Sequence, residues 1–174
     1  MSDSTKKQIR ELEIDAVSYS KIGHHSKAES TIKKALELNP SSNRLIHELA
    51  KIYLRLKQYE KALETLLPLS NKTKNKAIIF KDIGRSYSGL GKLEKALEAS
   101  DTSLSEKKDY VEALALKGKL LRELERYDEA LVVLDQALSR DSRHRDVLYQ
   151  KGKVLHILGK NRLLGHYWDI IRHN

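Results

Sequence analysis

Small residues recur in this chain every 34 positions: Ala16, Ala50, Gly84, Gly118 and Gly152 follow one another without an insertion. Three residues beyond each stand Tyr19, Tyr53, Tyr87, Leu121 and Leu155, and nine beyond those stand Ala28, Ala62, Ala96, Ala130 and Leu164. A period of this length marks an architecture of stacked supersecondary units, in which each copy covers the apolar face that its neighbour leaves open. The chain is thereby restricted to repeat folds before any single element is assigned.

Within each copy, apolar residues fall at helical spacing, a short break with Gly or a polar pair follows, and a second amphipathic run completes the unit. The spacing predicts helix pairs at 5–22 with 26–38, 43–56 with 59–69, 77–89 with 93–105, 111–124 with 127–139, and 145–158 with 161–172. Abundant Leu, Ala, Lys and Glu, with only two Pro, agree with an all-helical chain. The small residue of each first helix lets the second helix lie close, because a larger side chain would hold the two backbones apart. Ser26 with Glu29 has the form of a capping box, and Pro40 blocks continuation of the second helix in copy one. Pro68 predicts a kink or early stop in the second helix of copy two, with residues 70–76 as a loop.

Ala16 to Tyr19, Gly23 to Ala28 and Ala35 to Pro40 in copy one, Tyr59 to Ala62, Gly84 to Tyr87 with Gly91 to Ala96, and Gly118 with Tyr127 to Ala130 form one recurring pattern. It resembles the tetratricopeptide repeat family, over residues 9–172. The resemblance implies an all-α fold, a right-handed superhelical solenoid of stacked antiparallel helix pairs. Its about five tandem copies would lie at 9–42, 43–76, 77–110, 111–144 and 145–174, within a single domain spanning 1–174. It also implies that the first helices line a concave groove. The chain departs from the family pattern at the Trp-like position, which reads Leu12, Ile46, Phe80, Leu114 and Leu148, and keeps the closing Pro only at Pro40. Ser100 and Ser103 stand where apolar residues are usual and predict a looser third hairpin. The last helix, with Trp168, Ile170 and Ile171, would cap the stack; the alternative is a homo-oligomer paired through this C-terminal helix.

Catalytic constellations are absent from the sequence. With no Cys, the chain lacks disulfides, thiolate nucleophiles and Cys-ligated zinc. Gly84 and Gly89 have the spacing of a phosphate loop, but Leu90 replaces its Lys and the segment reads as helix. His24 and His25 are adjacent, so their side chains diverge, and no His pair recurs at metal-binding helical spacing. Glu123, Glu125, Asp128 and Glu129 interleave with Arg122 and Arg126 as a solvated turn. No catalytic, cofactor or metal residue is therefore assigned, and the chain reads as a nonenzyme. No window reaches the roughly 18 apolar residues of a membrane span. The amino terminus lacks the apolar run of a secretory signal, which places the chain in a cytoplasm by default.

Charge is the remaining guide. The net charge of +9 is spread over most of the copies, and only residues 109–142 carry an acidic excess. The residue after each small one is Val17, Lys51, Arg85, Lys119 and Lys153, a position that the family resemblance directs into the groove. Four cations would then form a ladder, widened by Arg55 and Arg122 one turn further on, with His47, Lys81 and Tyr149 one turn before. Glu48, Asp82 and Glu112 share the neighbourhood and neutralise part of it. The expected partner is an acidic protein or peptide segment, with apolar contacts at Ile14, Leu54, Leu116 and Tyr149. A carboxylate clamp for chaperone tails is not expected. Its positions read Glu13, Val17, Glu48, Ile78 and Asp82, or His47, Lys51, Asp82, Glu112 and Leu116 one copy on, rather than the Lys, Asn and Arg it needs. Nucleic acid is the weaker alternative despite a pI near 9.6, since acids interrupt the basic charge and aromatics are only 6% of residues.

Overall fold

A computed structural model describes residues 2–160, and every regular element among them is an α-helix. The first helices are α1 (Asp3–Lys21), α3 (Asn43–Arg55), α5 (Lys76–Gly89), α7 (Val111–Glu123) and α9 (Arg145–Ile157). The second helices are α2 (His25–Leu38), α4 (Tyr59–Ser70), α6 (Leu93–Glu106) and α8 (Tyr127–Arg140). The expected capping helix at 161–172, with Leu164 and Trp168, lies outside the described residues, as does any pairing of copies through it.

One turn chemistry ends every described first helix. A residue of left-handed φ follows each first helix: Gly23 (84°), Lys57 (57°), Gly91 (71°), Glu125 (61°) and Gly159 (68°), again 34 apart. The next residue's N–H donates back to the carbonyl of Tyr19, Tyr53, Tyr87, Leu121 or Leu155, at 2.8 or 2.9 Å in every case. This is the six-to-one bond of a Schellman ending, which satisfies a carbonyl that the helix terminus would leave open. Each of α2, α4, α6 and α8 then starts two residues after the left-handed one, without a side-chain cap. The capping box expected at Ser26 is therefore not formed: the turn has already set the start of α2 at His25. Glu29 instead accepts from Lys33 Nζ at 2.7 Å and from the Tyr53 hydroxyl at 3.4 Å.

Pro68 lies inside the last turn of α4. Lacking an N–H, it removes a ladder bond there, and α4 has 12 residues where α2, α6 and α8 have 14. The helix stops early as expected, although Ser70 is still within it and α5 already begins at Lys76.

The small-residue register is a packing register. Ala16, Ala50, Ala28, Ala62, Ala96 and Ala130 are completely buried. A Cβ on Gly118 would fall 2.5 Å from Leu134 Cδ2, and one on Gly84 would fall 3.1 Å from the Ala96 carbonyl oxygen and 3.2 Å from Ser100 Oγ. The looser third hairpin expected from Ser100 and Ser103 is thus not observed. Both serines are fully buried and their hydroxyls are satisfied, Ser100 by the Ala96 carbonyl at 2.9 Å and Ser103 by the Ala77 carbonyl of α5 at 2.6 Å. A serine is small enough to admit the neighbouring helix once its donor has an acceptor.

Successive first helices touch: α1 with α3, α3 with α5, α5 with α7 and α7 with α9. Successive second helices do not approach within 8 Å between Cα atoms among the described residues. Closer spacing on one side bends the stack, so α3, α5, α7 and α9 line its inner, concave wall.

Candidate partner-binding groove

Polar bonds brace the inner wall at each joint between first helices. Arg55 donates to Ser20 Oγ, joining α3 to α1. His47 Nε2 lies 2.8 Å from Asp82 Oδ2, joining α3 to α5. Lys119 Nζ donates to Ser88 Oγ at 3.3 Å, joining α7 to α5, and Arg122 Nε donates to Gln150 Oε1 at 3.3 Å, joining α7 to α9.

A cleft of about 440 Å³ opens on this wall, between the C-terminal end of α3 and the start of α9. Its floor includes Leu54, Tyr59, Ala115 and Leu116, and its charged lining includes Lys81, Arg85, Lys119, Glu112 and Asp146. Gly89 also lines it, because only a hydrogen there leaves room for the Tyr59 ring. The glycines that mimic a phosphate loop in sequence thus both lie within α5, each at a close approach of another helix.

Of the nine cationic and aromatic groove candidates, Lys81, Arg85 and Lys119 come together in the cleft. Arg85 is half exposed, at 51% of its side chain, with Asp82 Oδ1 at 3.5 Å; Lys119 is 39% exposed, with Glu123 at 3.8 Å. Both side chains remain partly exposed, Lys119 while donating to Ser88 Oγ. Lys81 is mostly buried, 3.1 Å from Asp82 Oδ1, with its ammonium 5.7 Å from the Tyr110 ring centroid. The remaining six do not line the cleft. Lys51 holds both oxygens of Glu48, at 2.8 and 3.0 Å, and Lys153 lies 4.5 Å over the Tyr149 ring. Arg55, His47 and Arg122 are the braces described above. The ladder of four equivalent rungs is therefore reduced to two adjacent ones in the cleft, because neighbouring carboxylates and rings engage the others. Of the expected apolar contacts, Leu54 and Leu116 are in the floor, while Ile14 and Tyr149 are exposed elsewhere.

Asp82 organises this region from below the surface. It is 1% exposed, yet its carboxyl is held below its ordinary range. Burial pushes it up, and the hydrogen bond from His47 with the charges of Lys81 and His47 outweighs that push. Lys81 and Arg85 reach Oδ1 as charges rather than as well-aligned hydrogen bonds. Sequence reading marked Asp82 as a neutralising neighbour and missed its burial. Its repeat-equivalent residue, Leu116, carried the signal of a core-facing position. Asp146, His144 and Gln150 were missed as lining residues, since they flank the copy five position that carries Tyr149.

Among the described residues no three His, Asp or Glu side chains converge as metal ligands, and no helix is long and apolar enough to cross a membrane.

Comparison with known proteins agrees with this architecture. Profiles described as tetratricopeptide repeat match residues 23–79, and 81–144 together with 116–161. No curated protein sequence matches. A thermophilic TPR protein of Thermus thermophilus superposes with a TM-score of 0.84 at 19% identity, over 94% of this chain and 89% of that one. PilF of Pseudomonas aeruginosa does so with a TM-score of 0.81 at 14% identity, over 98% and 78%. YrrB, described as a TPR protein with an unusual peptide-binding site, gives 0.66 at 19% identity over 97% and 91%. The fold is the right-handed superhelical solenoid of stacked antiparallel helix pairs. With the 34-residue period, the recurring turn and the profile matches in agreement, the chain belongs to the tetratricopeptide repeat family.

Proposed function

We propose that the chain is a noncatalytic scaffold that holds a segment of a partner protein in the cleft of its concave wall, with acidic side chains of that segment against Arg85 and Lys119. Tetratricopeptide repeats indicate a protein-interaction scaffold. The finer reading is carried by one observation: two half-exposed cations and an apolar floor share an open cleft on the inner wall. The peptide-binding site named for YrrB, a protein of similar fold, supports the choice of a peptide as occupant.

Exposed ion pairs contribute about 0.2–1 kcal/mol each, so the two cations steer and orient the segment more than they hold it. Retention falls to the floor around Tyr59, Ala115 and Leu116. A chaperone-tail clamp does not suit this wall, because neither register supplies the Lys, Asn and Arg set it needs, Glu48, Asp82 and Glu112 standing among those positions.

The test is capture of partners from host lysate by the chain and by an Arg85→Glu/Lys119→Glu variant, each with and without nuclease. Proteins that survive nuclease and are lost with the variant support the proposal. Retention that vanishes with nuclease replaces it with nucleic-acid binding, and retention indifferent to both treatments removes the cleft from the interaction.

A further inference from the structure

The cleft carries a second row of charge, opposite in sign to the first. Glu112 and Asp146 stand 34 residues apart in the first turns of α7 and α9, just as Arg85 and Lys119 stand 34 apart on α5 and α7. The rows meet on α7, where Glu112 and Lys119 are two turns apart on one face, a separation of about 10 Å along the axis. Between the rows lie Ala115 and Leu116, largely buried and apolar.

The rows differ in how far the protein itself satisfies them. Arg85 has Asp82 at 3.5 Å and Lys119 has Glu123 at 3.8 Å. Lys81, which also faces the cleft, is engaged by Asp82. Glu112 and Asp146 are exposed and form no ion pair with any described residue. Acids in a first turn interact favourably with the helix dipole, but that is not a constant of these repeats. Among the first helices that line the cleft, the first turns of α3 and α5 contain none and those of α7 and α9 carry Glu112 and Asp146, although Asp3 stands in the first turn of α1 and acids also begin α4, α6 and α8.

We infer that the segment taken up by this cleft is bipolar. It presents an acidic side chain to Arg85 and Lys119, a basic one about 10 Å away to Glu112 and Asp146, and an apolar residue between them on Ala115 and Leu116. An extended chain advances about 3.3 Å per residue and turns alternate side chains to one face, so acid, apolar and basic residues facing the wall stand at alternate positions, with acid and base four residues apart over about 13 Å, a span the flexible side chains of Glu112 and Lys119 cover. A uniformly acidic segment is disfavoured, since it sets like charges against Glu112 and Asp146. The inference rests on the cleft being the partner site.

The test pans a phage-displayed library of short random peptides on the full chain, on Arg85→Glu/Lys119→Glu and on Glu112→Lys/Asp146→Lys, with circular dichroism to verify that each variant is folded. The expected pool on the wild-type chain has an acid and a base four residues apart with an apolar residue midway. The first variant loses the acid preference and keeps the base, and the second does the reverse. A resynthesised wild-type peptide should bind either variant about tenfold more weakly, from two exposed pairs lost. A pool rich in acids with no preference for a base, unchanged by Glu112→Lys/Asp146→Lys and lost with Arg85→Glu/Lys119→Glu, overturns the bipolar pattern and leaves the acidic-segment reading standing. Identical pools on all three proteins, or no enrichment on any, overturn both.

Discussion

His47 donates from Nε2 to Asp82 Oδ2 over 2.8 Å, so that a carboxylate with 1% exposure joins two consecutive first helices beneath the groove wall. Asp82→Asn removes the charge that faces Lys81 and Arg85 and weakens the bond to His47. A loss of about 2 kcal/mol at neutral pH is expected, within the range for leaving buried polar groups poorly paired. The shift of the urea midpoint measures it; a variant as stable as the parent means that Asp82 is not a structural brace.

The same carboxylate predicts the acid limb of stability. Its folded-state pKa lies below the ordinary 3.8, so its contribution is fully present above that value and is lost as pH falls through the lower, folded one. The stability gap between the parent and Asp82→Asn should therefore persist down to about pH 4 and close below it. A gap that closes between pH 7 and pH 5 assigns the titration to another group.

Lys57 and Glu125 occupy, after α3 and α7, the left-handed position that Gly holds after α1, α5 and α9. A side chain there costs about 1–2 kcal/mol, against about 0.4–1 kcal/mol of extra unfolded-chain entropy for Gly. Lys57→Gly and Glu125→Gly should each raise stability by about 0.5–1 kcal/mol. Thermal unfolding decides the matter, and a lower midpoint for both would show that the side chains are worth more than the strain.

Gly118→Ala tests the close approach of α7 and α8. A mid-helix Ala gains about 1 kcal/mol of propensity, but its Cβ meets Leu134, a fully buried side chain, at 2.5 Å from Cδ2 and 2.6 Å from Cγ. Overpacking costs about 1–3 kcal/mol, so net destabilisation is expected in denaturant unfolding. A stabilised variant would mean that Leu134 has room to turn away.

Ser103→Ala removes a hydroxyl that reaches from α6 to the Ala77 carbonyl, whereas Ser100→Ala removes one bonded within its own helix. A loss of about 1 kcal/mol is expected at Ser103 and less at Ser100. The reverse order in chemical denaturation contradicts the bridging role.

The period, the hairpins and the small-residue contacts were all legible in the sequence, because each is repeated and repetition separates a packing requirement from chance. The left-handed turn was legible at Gly23, Gly91 and Gly159 and hidden at Lys57 and Glu125, where the recurring backbone bond imposes a conformation that the residue type does not announce. Ser26 misled for the complementary reason: its capping pattern is local, and the Schellman turn had already decided the helix start. The cation row was legible by position. Which cations remain available was not, since Lys51 finds Glu48 three residues away and Lys81 finds a carboxylate buried at the joint of α3 and α5.

The braces along the inner wall give the solenoid an uneven stiffness. Each first-helix joint carries a polar tie, but the ties are not alike: the α3–α5 tie ends on a buried carboxylate, and the α5–α7 tie is a lysine reaching a serine hydroxyl at 3.3 Å. That Lys119 is also a cleft cation, so a carboxylate that draws it into the groove slackens the joint it was fastening. On the proposed reading of the cleft, compliance falls at the α5–α7 joint beneath the bound segment, while the α3–α5 joint beside it acts as a fixed frame.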